Sequence, residues 1–587
     1  MRLLRLAAAL VLLALCMGVS PSGQAVPVPM PVPEPAAGVS TLRFPFASSA
    51  PVLDPHRARN AESFQAASLV YDTLYMWMPA TDKLPARVVP ALAEGWPTVS
   101  EDGLTLTIKL RKGVTFHNHA CFGKSRTREL TARDVVDSLK RVAVCGEEGM
   151  GWMMYTLIAG LDEYAESARG ELDYGANDTA VEGLKAADDL TLVIKTTRPY
   201  AILPTMLAHP GFSILPRESI NGNAGALSER AIGTGPYRLN AFAENRLVVL
   251  KRVAEYWGEK PAYERVVFSF VRYWEGFVRG LADGTYAKIQ VFPRYYDQVV
   301  KDNKPAGELV NAGGDVLNIN EHGYYFMAFN MQDPTWGTRD ADGRKLRRAL
   351  SLAFDRAALM ESAGWDAKWY SPQLDILPAG TLYADTAGRA EYGRQDLDAA
   401  KKLLDETKFK GGVDPATGKS LVLDLLSSDV DLYNSMVATL RKALTSLGMR
   451  LTVRYVSAAG YRDQVVDAEQ QMFIAGWFLD YPDPVNFLQL FYSAHAGKQL
   501  EFSNNSRYAN PDFDKAYDAY TSLTPNEVNL PKLRELAATM TKLIAEDQPT
   551  IALTHEKHVY VRRGAIDWPA AAVQTYNAAR FTREKSE

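Results

Sequence analysis

Two periods organise the apolar positions along this chain. Leu104-Thr105-Leu106-Thr107-Ile108-Lys109-Leu110 alternates strictly, and Leu190 to Lys195 does the same, which predicts half-buried strands. Thr41 to Phe46 is a short apolar strand that runs on to the turn Leu53-Asp54-Pro55-His56, and Leu247 to Leu250 and Val266 to Val271 continue the strand pattern. Helical spacing marks Phe64 to Met78, stopped by Pro79. It also marks Thr131 to Val144, where Thr131 can cap and Val135, Val136, Leu139 and Val142 share one face. In the second half, Tyr324 to Asn330 is an apolar strand and Arg344 to Ala363 a long helix with a basic face. Asp396 to Leu404 follows as a helix. A strand at Leu421 to Leu426, a helix at Leu432 to Leu447 closed by Gly448, and strands at Met449 to Tyr455 and Met472 to Trp477 predict an α/β unit. No internal repeat is visible.

The first 25 residues break this pattern. Arg2 and Arg5 precede an apolar run, Leu6 to Val19, that is too short to span a bilayer, and Gly23-Gln24-Ala25 places small residues at a cleavage site. This predicts a signal peptide over 1–25 and export across the membrane. Lipid attachment at Cys16 is disfavoured by Leu15 before it. Residues 26–33 alternate Val or Met with Pro, and 26–39 read as an extended tether.

Composition narrows the classes. The 587 residues are 47% hydrophobic and 23% charged, with a formal charge of −4, or −6 once Arg2 and Arg5 leave with the leader. That is a folded globular chain without the basic balance of a nucleic-acid binder. After leader removal two cysteines remain, Cys121 and Cys145, and in an oxidising compartment an even pair reads as a disulfide. The competing reading is metal binding, since His117-Asn118-His119-Ala120-Cys121 is a compact donor cluster, but no paired ligand motif follows it.

Catalytic signatures fail on inspection. There is no G-x-S-x-G elbow and no H-E-x-x-H helix. Gly418-Lys419-Ser420 hints at a phosphate loop, but the first glycine is misplaced and the segment leads into a strand rather than a helix. Gly233-Thr234-Gly235-Pro236 lacks the third glycine of a dinucleotide turn.

A set of ordered motifs is more informative. They include Pro90-Ala91-Leu92-Ala93-Glu94-Gly95-Trp96, Leu110-Arg111-Lys112-Gly113-Val114-Thr115-Phe116-His117 and Gly233-Thr234-Gly235-Pro236-Tyr237. Glu255-Tyr256-Trp257, Arg347-Arg348-Ala349-Leu350, Phe354-Asp355-Arg356 and Trp477-Phe478-Leu479-Asp480-Tyr481-Pro482-Asp483-Pro484 follow. In this order, from about Thr41 to Arg563, the chain resembles family 5 of the extracellular solute-binding proteins of ABC importers, the oligopeptide, dipeptide and nickel periplasmic binding proteins. It departs from the family at Gly284-Thr285-Tyr286-Ala287, where the family's motif aspartate has no equivalent, and in an enlarged stretch between His117 and Leu130.

The resemblance implies an α/β fold of periplasmic binding protein type II, two α/β lobes around a cleft with an extra inserted domain. Lobe one would be built from 40–72, 213–305 and 550–587, the inserted domain from 73–212 and lobe two from 306–549, with hinges near 306 and 549. It implies capture of a short peptide and delivery to an inner-membrane permease whose ATPase is a separate subunit. The carrier would be a monomer with no catalytic residue, cofactor or metal. The same scaffold holding a nickel chelate, haem, an opine or a glycan is the alternative, and an exported hydrolase is a remote one.

The motif ending at Pro484 leaves a strand end, where open α/β sheets place ligands. By the resemblance, Asp480 pairs with a peptide's α-ammonium; otherwise it caps its own loop near Pro482. Trp477 and Tyr481 line side-chain pockets or belong to the core. Trp152 and Tyr155 reach the ligand from another domain. Tyr324 and Tyr325 alternate across a strand, so one of them at most faces the cleft, and Tyr325 is taken as that residue. Asp483 reads as a turn residue, and Arg347 and Arg348 as a solvated or salt-bridged helix face.

Overall fold

The computed structural model describes residues 39–46, 51–79, 86–168, 179–220, 227, 230–243, 246–320, 323–378, 381, 392–428, 430–467, 469–496, 504–567 and 578–584. The expected leader, Cys16 and nearly all of the tether lie outside them. The chain divides into Met1–Thr41 and Leu42–Glu587. The first is described only at residues 39–41, and the second carries the fold.

Among the described residues, four sheets of four or five strands build that unit, beside three two-stranded ones. The first has the order Thr41–Phe46, Arg265–Phe270, Leu247–Arg252, Tyr237–Ala243. Its alternation buries Leu42, Phe44, Val248, Leu250, Val266 and Phe268 together. The second has the order Thr98–Val99, Thr105–Lys109, Thr191–Lys195, Leu184–Asp188, as the strict period of two predicts. The helix Ala132–Cys145 packs beside it, opened by a capping box in which Thr131 and Asp134 satisfy each other's backbone N–H groups.

The third sheet sets Thr554–Arg562 between Lys288–Val291 and Asp315–Asn320. The strand Asp315–Asn320 therefore pairs within this sheet.

The fourth sheet positions the candidate site. Its order is Arg450–Val456, Val422–Ser428, Met472–Phe478, Gly323–Phe329, Thr550–Ala552. The first three strands run parallel, and the last two are antiparallel to their neighbours. The helix Asp431–Ser446 makes the crossover between the two parallel strands that flank it in sequence. Both faces of this sheet are covered by apolar clusters. That is why Met472-Phe473-Ile474-Ala475 reads as a continuous apolar run instead of alternating.

Several expectations need correction. The apolar spacing from Phe64 to Met78 is not one helix: the helix is Ala61–Val70, and Tyr75–Met78 is a strand. The chain unwinds at Tyr71 because Asp72 must stay out of the helix. Its carboxylate takes Arg580 at 2.7 Å, Trp257 Nε1–H at 2.9 Å and the Thr234 hydroxyl at 3.0 Å. The helix expected over Arg344 to Ala363 is two, Ala341–Ala353 and Arg356–Ser362, because Phe354 is extended and Asp355 caps the second through the Ala358 N–H.

Arg347 is not on a solvated face. It is fully buried, and its guanidinium donates to the carbonyls of Asp547, Trp336 and Thr338. Burial lowers its pKa to about 10.

The bridge expected between Cys121 and Cys145 is not formed, and both are free thiols. Cys121 lies among Glu218 and Arg128, and Arg128 forks onto Asp134 at the start of the helix Ala132–Cys145. Cys145 is the last residue of that helix, about 16 Å along the axis from Asp134. A disulfide needs Cα atoms within about 7 Å. Burial pushes both thiols up.

Candidate functional site

The site grows from the end of the strand Met472–Phe478. Leu479 to Asp483 turn the chain back over the sheet, and a short helix, Pro484–Leu488, follows. The turn is set by Asp483, whose Oδ1 accepts the Val485 N–H at 2.9 Å, with Pro484 supplying a preset φ at the first helical position. Asp483 is thus a helix N-cap. It is completely buried, takes a second bond from the Tyr520 hydroxyl at 3.0 Å, and its Oδ2 has no partner among the described residues. Burial raises its carboxyl to about 7.

The first turn of that helix delivers Asn486, which is fully buried. Its Oδ1 accepts the indole N–H of Trp477 at 3.0 Å and the backbone N–H of Asp480 at 3.2 Å. Its Nδ2 donates to Asp480 Oδ2 at 3.2 Å. One amide therefore orients both the half-buried Asp480 carboxylate and the Trp477 ring. The residue missing from the sequence reading was Asn486. Its signal was present in Asp483-Pro484, an N-cap followed by proline, which starts a helix and puts position 486 on its inner turn.

Trp477 meets Trp152 edge to face, with ring centroids 5.9 Å apart at 90°. Trp152 sits on the 3₁₀ turn Gly151–Met154, where a Cβ on Gly151 would run into the Val142 carbonyl. Tyr155 ends this turn, its N–H donating to the Trp152 carbonyl at 3.2 Å. Tyr481 is buried, its hydroxyl hydrogen-bonded with that of Tyr200, and burial raises both phenols. Trp152, Tyr155, Tyr481 and Asn486 line one small cavity with Arg198 and Gln489. A second cavity of about 90 Å³ opens on the same sheet face between Phe326, Phe473, Trp477 and Leu490.

Five of the six expected ligand residues, Asp480, Trp477, Tyr481, Trp152 and Tyr155, therefore come together. Tyr325 does not join them. The register pairs Tyr324 with Trp477 and Tyr325 with Gly476, so Tyr324 shares the Trp477 face and Tyr325 lies on the other. Tyr325 packs against Phe478 at 5.6 Å, over the space that Gly476 leaves open. Tyr324 is itself committed to structure: it stacks on Phe487 at 4.9 Å and donates its hydroxyl to the Ile376 carbonyl at 2.5 Å.

The possible metal ligand His117 is also structural. Its Nδ1 accepts the Gly233 N–H at 3.3 Å and its Nε2–H donates to the Gly235 carbonyl at 2.8 Å, and burial lowers its pKa to about 4. Among the described residues no group of three His, Cys, Asp or Glu could hold a metal ion, and no helix is long and apolar enough to cross a membrane.

Comparisons with known proteins agree with this geometry. The dipeptide-binding protein of Escherichia coli (strain K12) is 28% identical over 475 residues, covering 78% of this chain and 80% of that protein. Heme-binding protein A of Haemophilus influenzae is 26% identical over 505 residues, covering 83% and 82%. Among solved structures, the unliganded open form of the periplasmic murein tripeptide-binding protein MppA superposes with a TM-score of 0.71 at 19% identity, covering 93% of this chain and 98% of that one. That likeness shows the fold, an α/β architecture of the type II periplasmic binding proteins. The sequence profile of the bacterial extracellular solute-binding proteins, family 5, matches residues 87–499, and the chain belongs to that family.

Proposed function

We propose that this protein is the solute-capturing subunit of an ABC importer and that its ligand is a short peptide gripped by its α-ammonium at Asp480. The observation that carries this reading is the Asn486 amide, which holds the Asp480 carboxylate and the Trp477 indole in one fixed arrangement at a strand end. A carboxylate presented this way suits an ammonium, the one cation every unmodified peptide shares. The aromatic rings of Trp152, Tyr155 and Trp477 supply apolar walls that tolerate different side chains. The dipeptide-binding relative supports the same class of ligand.

In this reading a leader over 1–25 exports the chain and 26–39 tethers it. Two lobes close over the peptide, bending where the chain passes between the third and fourth sheets, as it does at Leu553. The closed form docks on the permease. Peptide binding shifts the open–closed balance only by its differential affinity for the two states.

A second reading is a planar aromatic ligand such as haem, favoured by the haem-binding relative and by the edge-to-face tryptophan pair. Mass spectrometry of ligand released from the purified protein separates the two. Short peptides with free N-termini are expected. A porphyrin or chelate released in stoichiometric amount would contradict the peptide reading.

A further inference from the structure

The enlarged stretch after His117 walls a second, separate cavity. His117 staples this stretch to the turn before the strand Tyr237–Ala243 through its bonds to Gly233 and Gly235. That strand is an edge of the first sheet. His119 then caps the 3₁₀ turn Ala120–Ser125, and its N–H closes the loop on the Arg126 carbonyl at 2.7 Å. Here Asn118, His119, Arg230 and Arg238 line a cavity of about 520 Å³ with residues of the edge strand. None of its lining belongs to the two cavities of the candidate site.

The chemistry of this cavity is one-sided. Arg230 and Arg238 bond no described residue. The arginines around them are engaged. Arg128 forks onto Asp134 and Glu218, Arg217 reaches Asp137, and Arg252 donates to the Pro261 and Ala262 carbonyls. His119 Nδ1 accepts the Cys121 N–H at 3.2 Å, which leaves Nε2–H as a donor. Asn118 Oδ1 accepts the Arg126 Nε–H at 3.2 Å, which leaves its amide NH₂ to donate. No carboxylate stands among the described lining. Arg238 also borders an adjoining cavity of about 420 Å³, where Lys251 and Arg252 outnumber the one acid, Glu255. One guanidinium fork already matches both oxygens of a planar carboxylate. Two forks with further N–H donors suit a phosphate group, which offers three terminal oxygens and about two negative charges at neutral pH.

We propose that this cavity is a second binding site that takes a phosphate group on Arg230 and Arg238, with His119 Nε2–H as a further donor. The phosphate belongs either to a soluble phosphate ester or to the headgroup of an anionic phospholipid, and the test separates them. The site stands whether or not the ligand at Asp480 is a peptide.

Calorimetry is run on the full-length protein in phosphate-free buffer with inorganic phosphate, sn-glycerol 3-phosphate and pyrophosphate. The second arm is co-sedimentation with vesicles of phosphatidylcholine alone and of equimolar phosphatidylcholine and phosphatidylglycerol. In at least one arm wild type is expected to bind. Arg230→Gln and Arg238→Gln are each expected to weaken that binding about tenfold and the double variant about a hundredfold. Arg450→Gln removes the same charge from an exposed position at the start of the strand Arg450–Val456, and is expected to change binding less than about twofold. Circular dichroism and Tm confirm that the variants are folded. Binding of a soluble probe identifies an ester, and binding confined to phosphatidylglycerol vesicles identifies a headgroup. The inference is overturned if wild type binds in neither arm, or if the double variant binds as wild type does. It is equally overturned if Arg450→Gln weakens binding as much as Arg238→Gln, since that reports overall charge alone.

Discussion

On one face of the five-stranded sheet, Met327, Phe329, Met472 and Ile474 close against the helices Ala341–Ala353 and Asp431–Ser446 in a cluster of apolar side chains. On the other face, one residue away along the same strands, Tyr324, Phe326, Ala475 and Trp477 meet a cavity and a turn carrying the buried polar groups Asn486 and Asp483. The period of two lets one strand serve both purposes. The Ile474 face gains stability from close packing, while the Trp477 face keeps free volume and spends hydrogen bonds on orientation. If that contrast is right, substitutions on the two faces separate stability from affinity.

The largest effect is expected at Ile474→Ala. Removing a fully buried side chain in the packed layer costs about 4 kcal/mol of unfolding free energy. Denaturant melts check the loss, and calorimetry on the folded fraction is expected to show unchanged affinity.

The next is a pH effect on the site face. Asp483 ionises near 7 when folded and near 4 when unfolded, so between those values the folded state holds a proton that the unfolded chain has released. Its contribution therefore falls as pH rises from 4 to 7 and levels off above, by about 4 kcal/mol in all. The stability difference between wild type and Asp483→Asn, followed by denaturant melts across this range, is expected to trace that fall. A difference independent of pH would remove Asp483 from the account. The neutral buried histidines His56, His117 and His209 act with opposite sign, losing stability as pH falls below about 6.5, and cancel in this difference.

Asn486→Ala comes third. It strips the acceptor from the Trp477 and Asp480 N–H groups and costs about 2 kcal/mol of stability. It is also expected to weaken ligand binding roughly tenfold, because the carboxylate loses its fixed orientation. A stability loss with wild-type affinity would make Asn486 purely structural. Smallest of all is Tyr325→Leu on the packed face, where affinity should stay within about twofold and stability within about 1.5 kcal/mol.

The strands and the capped helix were legible because their burial is one-sided and their periods are clean. Thr105–Lys109, Thr191–Lys195 and Ala132–Cys145 emerge close to where alternation and Thr131 put them. Asp480 was legible only through its motif. The misread segments share a cause, in that distant partners overrode local pattern. Asp72 leaves its helix for Arg580, which lies more than 500 residues away in sequence, and Arg347 turns inward to carbonyls that only the tertiary fold supplies. Tyr325 was misplaced because alternation states that two neighbours face opposite ways without saying which of them faces the cleft. The cysteines were paired by arithmetic, and the helix between them keeps them apart.

The central claim, an ammonium held by Asp480, is tested most directly by calorimetry with one short peptide in free and N-acetylated form against wild type and Asp480→Asn. The account predicts that acetylation weakens wild-type binding by about 3 kcal/mol, roughly a hundredfold, and hardly affects Asp480→Asn, whose own affinity for the free peptide is already reduced by a similar amount. Equal binding of the acetylated and free peptides by wild type, or undiminished binding by Asp480→Asn, would contradict it.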